Sequence, residues 1–178
     1  MEHGYKIAID MDGVLSDFAR KVAEITRAIP KEKLHTIRRI DESILDKRKM
    51  WSAINFYNSH TPFFRSLDKM CDADELMEFV FQNFKHEDIM ILSASGTSPK
   101  DAPEQKKEWI KHHYSEKYGD ILVEVVTKSP DKAKFAHDKI ILIDDRAKSI
   151  DPWEAAGGIG VLHTDTESTI KKVLEIIA

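Results

Sequence analysis

The chain is short of several features that would classify it at once. It has a single cysteine, Cys71, so no internal disulfide can form, and a reducing, cytoplasmic setting is expected. No apolar run approaches the ~20 residues needed to cross a bilayer, and the first residues lack the pattern of a cleavable secretory signal, so no membrane partner is expected. No block of like charges runs longer than a few residues. Lys and Arg number 27 against 31 Asp and Glu, a net charge of −4, which argues against a broad grip on an extended nucleic acid but leaves room for a small anion held locally. The 8 histidines show neither an H-E-x-x-H nor a Cys/His spacing, which argues against zinc. Repeats and low-complexity tracts are also missing, and 178 residues with 42% hydrophobic and 33% charged side chains fit one ordinary globular unit.

Short runs rich in Ile, Val and Leu are what the chain does contain, at 5–9, 89–92, 121–126, 140–143 and 159–162. They do not alternate with polar residues, so they read as strands buried on both faces. Helical patterns separate the later runs, at 103–114, 131–136 and 151–156, the last stopped by Gly157 and Gly158, and an amphipathic helix over 167–176 would bury Ile170, Val173, Leu174 and Ile176. Strand and helix in alternation predict an α/β fold, a Rossmann-like and mainly parallel sheet flanked by helices. The stretch between the first two strands breaks this rhythm. It reads as helices at 15–29, 31–40, 44–57 and 72–84, the last returning the chain to the sheet. A core of residues 1–16 and 71–178 with a small helical cap inserted at 17–70 is therefore expected.

Two pairs of carboxylates stand out. Ile9-Asp10-Met11-Asp12-Gly13 ends the first strand with two acids and a glycine turn, and Asp144-Asp145 ends the strand at 140–143 in the same way. Ligand sites in open α/β sheets lie at that end of the strands. Asp10 and Asp12 would share one face of an extended backbone, and with neighbouring strands all four carboxylates would converge on one spot. Hard oxygens so arranged suit Mg²⁺, which takes substrate phosphate oxygens as further ligands. A single Asp at a strand end is more often a helix cap or turn residue, but two pairs are hard to read that way. Ser93-Ala94-Ser95-Gly96 ends another strand with small hydroxyls and backbone N–H groups suited to a phosphate. Ser129-Pro130 opens a helix, with Ser129 as its cap, and this start brings Lys132 or Lys134 to the mouth of the sheet; Lys132 lies nearer the helix start, where the dipole also favours anions.

Taken together, Asp10-Met11-Asp12-Gly13-Val14, Ser93, Lys132 or Lys134, and Asp144-Asp145 resemble the four ordered signature elements of the haloacid dehalogenase superfamily of phosphohydrolases. Within it, the run from Asp10 to Phe18, together with Phe63-Phe64-Arg65-Ser66-Leu67 and Leu142-Ile143-Asp144-Asp145-Arg146, is most similar to the 5′(3′)-deoxyribonucleotidases and related phage and bacterial proteins. That family usually has Thr where Ser93 stands, and this chain carries extra residues between the lysine element and Asp144.

The resemblance implies a Mg²⁺-dependent phosphomonoesterase, a 5′-nucleotidase acting on nucleoside monophosphates. Asp10 would be the nucleophile that forms an aspartyl-phosphate, and Asp12 the general acid and then base. Ser93 and Lys132 would hold the phosphate, and the metal would be bound by Asp10, Asp12 through its backbone carbonyl, and Asp145, with Asp144 assisting. Ala94, Ser95, Lys134 and Arg146 join them as substrate-binding candidates, and Phe18, Phe63 and Phe64 as a base-stacking surface where the cap meets the core. Against this stand the readings of Trp51, Phe56, Tyr57, Phe63 and Phe64 as plain cap core, of a phosphatase for another small phosphoester such as a sugar phosphate, and of a binding protein that keeps the fold without catalysis. Self-association is left open.

Overall fold

Five parallel strands form one sheet in the order β3-β2-β1-β4-β5: β1 (Lys6–Ile9), β2 (Ile89–Ala94), β3 (Leu122–Val126), β4 (Ile140–Asp144) and β5 (Ile159–Leu162). The computed structural model describes residues 3–40 and 43–178. The apolar runs become strands for the expected reason only in the middle of the sheet. Ile7, Ile9, Ile91, Ile141 and Ile143 are fully buried, each contributing ~1.5–3 kcal/mol relative to an exposed side chain. β3 departs from the expectation of burial on both faces: Leu122 is exposed and the rest of the strand half-buried, because β3 is an edge with one neighbour. The helices α4 (Ala102–Tyr118), α5 (Ala147–Ala155) and α6 (Thr166–Ile177) follow β2, β4 and β5. Leu174, expected to be buried on α6, is exposed, since α6 turns Thr169 and Val173 inward instead.

From β1 the chain goes first to β2 and β3 on one side, then to β4 and β5 on the other. The direction of winding thus reverses between β1 and β4, the position at which α/β sheets open a crevice beyond their strand ends. Ile9 is paired with Ile143, so the residues that follow them enter this crevice side by side.

The segment between β1 and β2 is helical, with corrected boundaries. The helix expected from residue 15 starts at Phe18 (α1, Phe18–Thr26), capped by Asp17, whose side chain accepts from Arg20 N. The delay has a cause: residues 11–16 form a tight loop in which the Leu15 and Ser16 N–H groups donate to Met11 O at 2.8 and 2.9 Å. The helix expected over 31–40 is only a 3-10 helix, Lys31–Thr36. α2 (Lys47–Asn58) and α3 (Ala73–Asn83) complete the segment. Of the expected cap, residues 41 and 42 lie outside the described residues. The chain leaves and returns side by side, with Asp17 N donating to Asp68 O and Met70 N to Leu15 O, both at 2.8 Å.

Phe63 and Phe64 lie at 0% exposure in the main core, the Phe63 ring edge-on to Phe18, Tyr57 and Phe64. They are core and not a base-stacking surface, whereas Phe56 is 74% exposed and not core. Phe63→Ala is expected to cost ~3–5 kcal/mol, the usual range for emptying an aromatic core position, read as a lower urea midpoint. A loss under ~1 kcal/mol would show that the site collapses around the void or was not packed as described.

Candidate active site

β1 ends at Ile9, and Asp10 is held in the crevice by its own N–H, which donates to Ile143 O of the neighbouring strand β4 at 2.9 Å. Its carboxylate is 4% exposed as a residue and meets two others: Asp10, Asp144 and Asp145 each offer an oxygen within 4.8 Å of the rest. Asp12 is not among them. The backbone turns at Met11 instead of staying extended, so Asp10 and Asp12 do not share a face, and three carboxylates converge rather than four.

Lys132 sits in this cluster at 1% exposure. Its Nζ lies 2.8 Å from Asp10 Oδ1 and 2.6 Å from Asp144 Oδ2. Burial works against its charge, but the two carboxylates outweigh burial and hold its pKa above the ordinary lysine value. The element that delivers it is a 3-10 helix, Ser129–Phe135, and the cap is not Ser129: the Asp131 carboxylate accepts from Lys128 N at 3.1 Å. Lys134, the other candidate, is exposed. Arg146 is also exposed, and its backbone N–H, not its side chain, reaches Asp144, at 2.9 Å from Oδ1.

Among the described residues Lys132 is the one side-chain cation paired with these three acids, and it leaves the cluster undercompensated. Burial, then the Asp10 charge, pushes Asp144 up to about 6. Burial, then the charges of Asp10 and Asp144, pushes Asp145 up to about 7, with Arg146 and Arg39 pulling the other way. Asp145 Oδ1 is buried without a hydrogen-bond partner. A buried orphan oxygen among hard carboxylate donors fits a small divalent cation such as Mg²⁺, which would supply the missing positive charge. Gly13 makes room for this arrangement. Its φ is +81°, and a Cβ there would stand 2.3 Å from Asp145 Oδ2.

Asp12 belongs to a second constellation. Its Oδ2 accepts from Lys106 Nζ at 2.5 Å and its Oδ1 from Ser16 Oγ at 3.0 Å. Lys106, at 0% exposure, also donates to Ser93 Oγ at 2.9 Å, which joins the β1 loop to the end of β2. The neighbouring groups of the β2 loop have other partners than a ligand. Ser95 donates its hydroxyl to Gly96 O and its N–H to Val126 O, and Gly96 N–H goes to Thr127 O, because pairing with the β3 side continues past the strand. Ala94 ends β2, half-buried.

Sequence reading missed Lys106, although a signal was present. On α4, Ala102, Gln105, Lys106, Trp109 and Ile110 are buried together, a spacing of three and four that marks one helix face. A lysine in the middle of that face must be paired.

Phe18, at the start of α1, is half-buried. Its ring stacks on Phe64 at 6.2 Å and 18° and lies 6.5 Å from Trp51 of α2. Trp51, also half-buried, approaches the β2 loop, where a Cβ on Gly96 would lie 3.8 Å from its ring.

The fold and these side chains define a hydrolase of the haloacid dehalogenase type. Similar solved structures include a haloacid dehalogenase-like family hydrolase from Streptococcus pneumoniae (TM-score 0.61, 13% identity, 100% of both chains). Two others are a HAD-superfamily hydrolase from Ehrlichia chaffeensis (0.54, 13%, 97% of both chains) and one of subfamily IA from Geobacter sulfurreducens (0.53, 13%, 98% of this chain and 97% of that one). At such identities the likeness is one of fold. No curated protein matches in sequence. The family itself comes from a sequence model: the chain belongs to the family described as 5′ nucleotidase, deoxy (Pyrimidine), cytosolic type C protein, matched over residues 5–172. It is accordingly a phosphoric monoester hydrolase.

The acid cluster makes stability depend on pH with a definite sign. A carboxyl whose pKa is raised by folding stabilises fully below its unfolded value and loses that contribution as pH rises through the folded value. For Asp145 the window runs from 3.8 to about 7. Without divalent cations, melting temperature should fall from pH 5 to pH 8, and Mg²⁺ should raise it more at pH 8 than at pH 5. Asp145→Asn should flatten both responses. Equal Mg²⁺ shifts at the two pH values, retained in the variant, would place the cation elsewhere. Gly13→Ala should lower stability by ~1–3 kcal/mol through backbone strain and displace Asp145, so its Mg²⁺-dependent melting shift should shrink as well.

Proposed function

We propose that the protein is a Mg²⁺-dependent 5′-nucleotidase that removes phosphate from deoxynucleoside or nucleoside monophosphates through an aspartyl-phosphate. The observation that carries the chemistry is the pair of charged constellations beyond the end of β1, one built on the buried Asp10 and the other on the partly exposed Asp12. Lys132 engages Asp10 Oδ1, which leaves Oδ2 for in-line attack on phosphorus. As the Asp10–phosphorus bond forms, the ester bond to the leaving oxygen breaks and that oxygen takes a proton from the Asp12 carboxyl. Asp12, now a carboxylate, takes a proton from the water that attacks phosphorus, and the Asp10–phosphorus bond breaks to release inorganic phosphate. Ser93 donates to a phosphate oxygen, and Lys132 has one ammonium proton left beyond its two carboxylate partners to do the same. Asp10 and Asp145, with the Asp12 backbone carbonyl and with Asp144 assisting, would hold Mg²⁺, which supplies charge neutralisation between the carboxylate nucleophile and the anionic substrate.

The nucleotide part of the reading is supported by the family match and by two half-buried rings, Phe18 against Phe64 and Trp51 against the Gly96 loop. Residues 17–70 act as the cap in this reading. Phe18 and Trp51, the half-buried rings, would face the base, backed by the buried Phe64. Location in the cytoplasm is inferred from the single cysteine and from the family description, and among the described residues no helix is long and apolar enough to cross a membrane.

Asp10→Asn should abolish turnover with the fold intact, since an amide is a poor nucleophile of nearly the same shape. Asp12→Asn should lose ~10²–10⁴-fold on nucleoside monophosphates, whose alkoxide leaving group needs a proton, and less on an aryl phosphate. Near wild-type activity of Asp10→Asn would end the covalent mechanism. A panel of deoxynucleoside, nucleoside and sugar monophosphates tests the substrate class: a sugar phosphate with the highest kcat/KM would replace the nucleotide reading.

A further inference from the structure

Lys106 is a fully buried cation of the crevice that has no part in the chemistry above. Its Nζ donates to Asp12 Oδ2 at 2.5 Å and Ser93 Oγ at 2.9 Å, and the Phe64 ring face covers it at 4.5 Å from the centroid. Its side chain has no exposed surface. An ammonium has three protons and no acceptor, so two hydrogen bonds and a ring face leave no side open to a ligand. We propose that Lys106 is a positioning residue of the reaction, holding the Asp12 carboxylate and the Ser93 hydroxyl in one fixed arrangement without touching the substrate.

Three features of the geometry support this. Lys106 and Ser16 grip the two Asp12 oxygens from opposite partners, 2.5 Å to Oδ2 and 3.0 Å to Oδ1, so the carboxylate plane is set by the protein and not by the substrate. Ser93 Oγ accepts from the ammonium, so its own proton is left to donate to a phosphate oxygen, and the polarity of that hydroxyl is decided before anything binds. Lys106 is itself registered by its neighbour on α4. Gln105 Oε1 accepts from Phe64 N at 2.8 Å, and its Nε2 donates to Asn58 Oδ1 at 2.8 Å. The helix that carries Lys106 is thereby tied to the end of α2 and to the ring that covers the ammonium. Orientation of this kind acts on the chemical step, because a small misplacement of an acid or donor costs rate more than affinity.

The inference rests on the phosphatase reading of Asp12 and Ser93, and the experiment separates the two. Steady-state kinetics of the full chain are measured on a nucleoside monophosphate and an aryl phosphate for wild type, Asp12→Asn, Lys106→Met and the double variant. Lys106→Met should lower kcat at least ~10²-fold on the nucleotide and distinctly less on the aryl phosphate, with KM within about threefold. The double variant should be no slower than Asp12→Asn on the nucleotide, because two residues acting through one group are not additive. Lys106→Gln, which keeps amide donors, should recover part of the loss, and it serves in place of Lys106→Met if the apolar variant does not fold. A raised KM with equal losses on both substrates, or full additivity with Asp12→Asn, would make Lys106 a phosphate-binding residue and overturn the proposal.

A crystal structure of the folded variant reads the same question without activity. The Asp12 and Ser93 side chains should leave their positions, and finding both within about 0.5 Å of them would also overturn it. A wild-type protein inactive on both substrates refutes the phosphatase reading alone, and the crystallographic comparison still decides whether Lys106 positions its two partners.

Discussion

Compensation of buried charge at the carboxyl ends of β1 and β4 is the constraint on which the rest of this molecule turns. Parallel pairing of Ile9 with Ile143 brings Asp10 beside Asp144 in a place with little water, and such charges are tolerated only if counter-charges are built in. Lys132 does this for Asp10 and Asp144, and Lys106 does it for Asp12. Each lysine comes from a different connection of the sheet, Lys132 from the 3-10 helix before β4 and Lys106 from α4 after β2. The acids therefore explain why two long cations are folded inward from opposite sides.

The compensation is uneven, and the imbalance has a use. Asp12 is matched by one lysine and one serine hydroxyl, whereas Lys132 serves Asp10 and Asp144 only, and an oxygen of the adjoining Asp145 is left unpartnered. In the proposed reaction the first constellation orients the proton-transferring group, and the second would take up the divalent cation and the phosphate. Their separation follows from the loop after Asp10, where Gly13 adopts a backbone conformation that L side chains rarely adopt and lets Asp145 approach within a distance no Cβ would tolerate.

Around this centre the segment between β1 and β2 is fastened by polar contacts as well as aromatic ones. Asn58 and Gln105 join the end of α2 to α4, Ser98 donates to Asn55 at 2.6 Å, and Trp51 lies against the loop that carries Gly96. The three rings expected as a stacking surface, Phe18, Phe63 and Phe64, divide accordingly, and Trp51, expected as cap core, is half-buried. Phe63 and Phe64 are core, with the Phe64 ring against Lys106, whereas Phe18 and Trp51 are half-buried.

The alternation of apolar runs and helical patterns was enough to determine a parallel α/β sheet, since strands lacking a polar face can only be covered on both sides. The acid pairs were legible for a related reason: they stand at strand ends, where position along the chain already implies position in space, and a lysine at 132 or 134 was legible from the helix start before it. Lys106 was hidden because it lies in mid-helix, thirteen residues beyond Ser93 in number but 2.9 Å from it in space, and its only trace was a cation on an otherwise buried helix face. The separation of Asp12 from the acid cluster was likewise out of reach, because local spacing assumes an extended backbone and the turn at Met11 is set by its own hydrogen bonds. Strand order, the choice between Lys132 and Lys134, and the burial of Phe63 and Phe64 all depend on which surfaces meet. Periodicity determines which face of an element is apolar, and only tertiary packing decides what that face is pressed against.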